Sequence, residues 1–137
     1  MSKGILVFIE HKAGALNKTS LEAIAAAQKL AGDTGQQVTA VVPGSGVDSL
    51  AQEIAAYDLA KVIKVDHALL ADYTPDAYAE AMEQVIRASN PQYVVLSHTY
   101  LVRDFAPKLA ARFGKGLISD CIRNVTLYAR ELRLGQA

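Results

Sequence analysis

The chain holds one cysteine, Cys121, so no disulfide can close within it, which fits a reducing compartment. It has no excess of either charge: 14 Lys and Arg stand against 14 Asp and Glu. A nucleic-acid surface needs a basic excess, so no nucleic-acid partner is expected. Long apolar runs are missing too. The run from Gly4 to Ile9 stops at Glu10, too short for a signal-peptide core or a membrane span. The opening also lacks the Arg- and Ser-rich character of a transit peptide. There is no GxxxxGK[ST] loop, and Gly44-Ser45-Gly46 follows the second strand without the third glycine of GxGxxG. It reads as a tight turn.

What is present is a core and a rhythm. The 137 residues suit one domain, and 51% of them are apolar. The stretch Pro91 to Asp120 organises the rest. Tyr93 to Leu96 reads as a strand covered on both faces, ended by Ser97, His98 and Thr99. Arg103 and Asp104 open a helix with Pro107 in its first turn, Leu109, Ala110 and Phe113 on its apolar face and Gly114 closing it. Such a unit places its turn at the carboxyl edge of a parallel sheet, where ligands and partners bind.

The other segments repeat this pattern. Ile5 to Ile9 reads as a strand, followed by an alanine-rich helix with Thr19 and Glu22 at capping-box spacing. The small apolar face of that helix predicts close packing on a sheet. Val38 to Val42 is a second strand stopped by Pro43-Gly44, and the helix after Val47 turns Leu50, Ala51, Ile54 and Ala55 inward. Val62 to Val65 is a third strand. Thr74-Pro75-Asp76 starts a helix that buries Tyr78, Met82, Val85 and Ile86 and pairs Glu83 with Arg87. A fifth strand is expected near Leu117 to Ile118. Alternation of this kind implies a parallel α/β sheet with helices on both faces over residues 1–122. Residues 123–137 alternate apolar and polar side chains as an extended ribbon, read here as half of a hairpin whose return strand is absent.

Candidate chemistry is thin. His11, His67 and His98 each follow a strand, two of them behind Glu10 and Asp66, but polar residues are expected wherever strands leave a core. Ser97, His98 and Asp104 have the letters of a nucleophilic triad without the GxSxG elbow, and neighbours on a strand point to opposite faces. Cys121 sits among apolar residues and reads as packing. Neither a catalytic residue nor a metal ligand is assigned.

Several stretches resemble the amino-terminal domain of the electron transfer flavoprotein alpha subunit. They are Leu6-Val7-Phe8-Ile9-Glu10-His11, Leu21-Glu22 with the alanine-rich helix, and Arg103-Asp104-Phe105-Ala106-Pro107-Lys108-Leu109-Ala110-Ala111-Arg112-Phe113 followed by Leu117-Ile118-Ser119-Asp120. Arg130 followed by Gly135-Gln136-Ala137 is similar to the family's closing ribbon. Val102 stands where the family usually has glycine, Lys108 replaces an arginine, Arg133 an apolar residue and Gln136 an asparagine.

The resemblance implies a Rossmann-like three-layer α/β/α fold of the adenine nucleotide alpha hydrolase-like kind, with a mainly parallel five-stranded sheet. It implies a heterodimer with a beta subunit that carries FAD and passes electrons from acyl-CoA or other dehydrogenases to a quinone oxidoreductase. FAD would sit in a following domain absent here, and AMP in the beta subunit only, so this fragment is expected to bind neither and to catalyse nothing. Its expected work is a subunit interface that includes Arg103, Arg130, Arg133 and Gln136. The unpaired ribbon leaves homo-oligomerisation open. A bacterial form would be cytoplasmic, a eukaryotic one in the mitochondrial matrix. The competing reading is a nucleotide-binding domain of the universal stress protein kind. That would need glycine-rich phosphate contacts after the fourth strand, where Ser97-His98-Thr99-Tyr100 stands instead.

Overall fold

Ile5 to Ile9 are all buried because the strand they form has a helical layer on each side. Ile5, Val7 and Ile9 pack into one apolar cluster, and Leu6 and Phe8 into another. This strand is β1 (Ile5–Phe8). A computed structural model describes residues 4–12, 14–97 and 99–112, and the backbone of 119–122 and 125–129. After β1 come a small hairpin of β2 (His11–Lys12) and β3 (Ala15–Leu16), then α1 (Lys18–Thr34), β4 (Val38–Gly44), α2 (Asp48–Ala55) and β5 (Lys61–Asp66). A short 3-10 turn (Ala68–Leu70) leads to α3 (Pro75–Ser89), β6 (Tyr93–Ser97), α4 (Tyr100–Arg112), β7 (Ser119–Ile122) and β8 (Val125–Ala129).

The main sheet has the order β5-β4-β1-β6-β8-β7. Its first four strands are parallel, with Ile5 opposite both Val38 and Tyr93, and Thr39 opposite Lys61. Ala23, Ile24 and Ala27 of α1 and Leu50 and Ile54 of α2 cover one face. Tyr78, Met82 and Ile86 of α3 and Val102, Phe105 and Leu109 of α4 cover the other. The fold is therefore a Rossmann-like three-layer α/β/α sandwich. Among the described residues no helix is long and apolar enough to cross a membrane.

The sheet corrects several expectations. It has six strands rather than five, and residues 125–129 of the ribbon join it: β8 runs antiparallel to β6, and β7 antiparallel to β8. Without β8, strand β6 would be an open edge of unpaired backbone groups. Leu117 and Ile118, where a fifth strand was expected, lie outside the described residues; β7 begins at Ser119.

Other helix and strand limits also move. Asn17, not Thr19, caps α1: its Oδ1 accepts the Thr19 backbone N–H at 3.0 Å. The helix ends at Thr34, where Gly35 takes the left-handed region at φ 70°. Pro43 and Gly44 belong to β4, because beyond Val41 that strand has outrun β1 and needs to pair only with β5. Helix α4 begins at Tyr100, so Arg103 and Asp104 do not open it and Pro107 lies inside it. The start moves because Thr99 caps the helix, its hydroxyl accepting from the Val102 N–H and its carbonyl from the Arg103 N–H. Of the residues expected inward on α2, Leu50 and Ile54 are buried while Ala55 is exposed. Phe113 and Gly114 lie outside the described residues.

Gly44 and Gly32 should respond to alanine with opposite signs. A Cβ at Gly44 would fall 2.5 Å from Val47 Cγ1 and 2.6 Å from His11 Nε2, whereas at Gly32, within α1, it would meet nothing within 4 Å. Urea unfolding should show Gly44→Ala destabilised by about 1–3 kcal/mol. Gly32→Ala should be stabilised by about 0.5–1 kcal/mol.

Candidate functional site

Parallel strands deliver their last residues to one edge, and crossovers that diverge from there leave a crevice where ligands of such folds bind. Here the divergence falls between β1 and β6: the chain leaves β1 for β4 on one side and returns from β5 to β6 on the other. The crevice is filled by side chains of this chain. Glu10, just past β1, accepts the Thr99 hydroxyl on Oε1 at 2.7 Å and the Asn17 amide on Oε2 at 3.1 Å. Thr99 and Asn17 are themselves the caps of α4 and α1. One carboxylate thus joins the amino ends of both helices, where their dipoles favour negative charge.

The backbone of Glu10 is held as tightly. Its N–H donates to Ser20 Oγ at 2.7 Å, its carbonyl accepts the Ser20 hydroxyl at 2.9 Å, and the Asn17 N–H reaches the same carbonyl at 3.0 Å. Ser97 at the end of β6 donates to the Thr19 carbonyl at 3.0 Å. Ser20 and Ser97 are both fully buried, so each needs the partner it has.

The second strand-to-helix junction repeats the arrangement. The Asp66 carboxylate accepts the Gly46 N–H at 3.0 Å and the Val47 N–H at 3.3 Å, at the start of α2. The Gly46 bond holds the Asp66 carboxyl below the ordinary carboxylate range. A phosphate placed at either helix start would meet donors already used and a carboxylate in its way.

Each candidate of the sequence reading has a place. His11 Nε2 lies 2.8 Å from the Pro43 carbonyl, and His67 Nδ1 accepts the Leu69 N–H at 3.0 Å as the cap of the 3-10 turn. Both lie at the carboxyl edge, bonded to backbone. No group of His, Cys, Asp or Glu able to hold a metal is found among the described residues. Ser97 and Asp104 have other partners than each other, since Asp104 accepts the Tyr73 hydroxyl at 2.7 Å. Arg103 is exposed, its guanidinium 5.9 Å from the Tyr100 ring centre. His98, Arg130, Arg133, Gln136 and the side chain of Cys121 lie outside the described residues.

The sequence reading missed a seam between α3 and α4. Asp104, Lys108 and Arg112 recur every fourth residue along α4, and each meets a partner on or just before α3. Asp104 takes the Tyr73 hydroxyl, Lys108 lies 3.6 Å from Asp76, and Arg112 reaches Glu80 at 2.7 Å and Glu83 at 3.0 Å. Arg87 adds a bond to Glu83 at 2.9 Å and another to the Arg112 carbonyl. The i,i+4 spacing of these charges was the available signal. Burial, then the bond to Asp104, raises the Tyr73 phenol well above its ordinary value. Tyr73 also packs edge-on to Tyr78 at 5.1 Å, and Phe8 and Phe105 complete the aromatic cluster below the edge.

A family model described as "Electron transfer flavoprotein domain" matches residues 5–130. "Electron transfer flavoprotein subunit alpha" of Bacillus subtilis is 41% identical over 122 residues, covering 89% of this chain and 37% of that protein. "Acryloyl-CoA reductase electron transfer subunit beta" of Anaerotignum propionicum is 36% identical, covering 87% and 32%. "Lactate dehydrogenase (NAD(+),ferredoxin) subunit LctC" of Acetobacterium woodii is 31% identical, covering 87% and 28%. The chain spans about a third of the length of these relatives.

Two outcomes follow from the edge and the seam. Glu10→Ala strands the Thr99 and Asn17 donors and should lower the unfolding free energy by about 1.5–3 kcal/mol, with Glu10→Gln costing less. The second outcome is an acid dependence. Glu80, bonded to Gln84 and Arg112, and Glu83, bonded to Arg87 and Arg112, both titrate below the ordinary 4.5. Their stabilisation is therefore present above 4.5 and lost as pH falls through the lowered values. Denaturant midpoints followed from about pH 7 to about pH 3 should drop on the acid side, with a shallower drop in Arg112→Gln.

Proposed function

The chain belongs to the electron transfer flavoprotein domain family, and from that premise we propose that it is the amino-terminal scaffold domain of an alpha-type subunit. With a beta subunit and FAD, the assembled protein carries electrons from acyl-CoA or other dehydrogenases towards a quinone oxidoreductase and the respiratory chain. This domain holds no flavin and catalyses nothing itself. It gives shape and surface to the heterodimer, through Arg103 and through a ribbon with Arg130, Arg133 and Gln136. FAD belongs to another domain and AMP to the beta subunit. The working compartment is the bacterial cytoplasm.

One observation carries this reading: the crevice in which a fold of this kind takes its ligand is occupied by the Glu10 carboxylate between two helix starts. The same observation counts against a nucleotide-binding domain of the stress-protein kind, because a phosphate would have to displace a bonded carboxylate. The sequence similarity to proteins named electron transfer subunits supports the redox role.

Calorimetry with AMP and ATP, together with a visible spectrum of the purified chain, tests the proposal. The chain should be colourless and give no binding heat at ligand concentrations up to about 1 mM, the level of a −4 kcal/mol interaction. A yellow protein, or micromolar binding of either nucleotide, would overturn the scaffold reading.

A further inference from the structure

Among the described residues, Tyr73 is the one tyrosine whose hydroxyl is bonded to a carboxylate. It donates to Asp104 Oδ2 at 2.7 Å, the length of a charge-assisted bond, and also reaches the Leu101 carbonyl at 3.3 Å. The side chain is half-buried, so it stays within reach of solvent. Its ring packs edge-on against Tyr78 at 5.1 Å, and Tyr78 in turn lies 6.3 Å from Phe8 and 6.1 Å from Phe105. Tyr57 and Tyr100 are more exposed, at 38% and 90%, yet neither hydroxyl donates to a carboxylate among the described residues.

The bond to Asp104 matters for one-electron chemistry. A phenol that loses an electron becomes a strong acid and must shed its proton. Water at neutral pH is a poor acceptor, whereas a carboxylate within hydrogen-bond reach takes the proton in the same step. Charge favours the same outcome. The resting pair carries the negative charge of Asp104, the oxidised pair carries none, and shedding charge from a partly buried site is favourable. Burial, then the bond to Asp104, keeps the proton on the resting phenol, so it leaves only together with the electron.

We propose that Tyr73 is a redox-active tyrosine, the residue from which this domain yields an electron to strong outer-sphere one-electron oxidants, with Asp104 as its proton acceptor. The Tyr73 O–H bond breaks, one electron passes to the oxidant, the proton forms an O–H bond on Asp104, and a neutral phenoxyl radical remains. The protonated carboxyl then donates back to the phenoxyl oxygen, so the hydrogen bond reverses direction while the heavy atoms stay in place. Re-reduction by a one-electron donor such as ascorbate returns the proton to Tyr73 and restores the pair. Oxidising equivalents that reach this face therefore end at a side chain that recovers. Tyr73 would behave so whether or not the scaffold reading holds.

Flash photolysis of the chain with photogenerated tris(bipyridine)ruthenium(III) as the oxidant tests it. The tyrosyl radical is followed by its absorbance, and its position is read by nitroxide trapping and peptide mass spectrometry. The trap should sit on Tyr73. Tyr73→Phe and Asp104→Asn should each slow radical formation about tenfold or more, Asp104→Glu by less, and Tyr57→Phe and Tyr100→Phe should stay within about twofold of the parent. Formation in the parent should also be slower in deuterium oxide, because proton and electron move together. That comparison needs no variant, so it stands even where Asp104→Asn loosens the seam between α3 and α4. A radical formed first on Tyr57, Tyr100 or another tyrosine would overturn the proposal. So would equal rates in the two waters, or a folded Asp104→Asn that reacts as fast as the parent.

Discussion

A carboxylate between two helix starts is the constraint on which the carboxyl edge depends. Glu10 leaves β1 at the point where the crossovers part, and its two oxygens engage the caps of α1 and α4. Its backbone is matched to Ser20, and Ser97 closes the same circle through Thr19. These contacts fix three things together: where α1 begins, where α4 begins, and how the ends of β1 and β6 stand to each other. The negative charge that a phosphate supplies in ligand-binding folds of this architecture is supplied at these helix starts from within the chain.

The stretch that carries the family resemblance gains a physical meaning from α4. Val102, Phe105, Ala106 and Leu109 face the core, and Asp104, Lys108 and Arg112 fasten the helix to α3. Most of the motif is therefore about holding the helix in place. Arg103 is the charged residue of that run left facing outward, beside an exposed tyrosine. The ion pairs of the seam are partly solvated, so each contributes little alone, and their value lies in acting as a connected set.

The parallel core was legible because burial on both faces leaves an unbroken apolar run, and Ile5 to Ile9 and Tyr93 to Leu96 are such runs. The cap at Thr74 and the Glu83–Arg87 pair were legible because both are local. What escaped was set by contacts that follow no local period. Asn17 outcompetes Thr19 as a cap because Glu10 holds its amide, and Thr99 starts α4 early because Glu10 receives its hydroxyl. Glu10 and Asn17 are 7 positions apart across the β2–β3 hairpin and Glu10 and Thr99 are 89 apart, so neither pairing shows as a helical or strand period. The pairing of β8 with β6 escaped for the same reason: a strand's partner lies across the sheet, not along the chain. For the site, the histidines and the serine looked chemical because strand ends collect polar groups, and the structure spends those described on backbone contacts.

Native-state amide exchange tests the closed edge most directly. If Glu10, Asn17, Thr99 and Ser20 form one permanent network, the amides of Glu10, Thr19 and Val102 should open only with the central sheet and match Val7 and Ile9 in protection. Exchange at those three amides orders of magnitude faster than at Val7 and Ile9 would show a crevice that opens on its own, and would contradict the account.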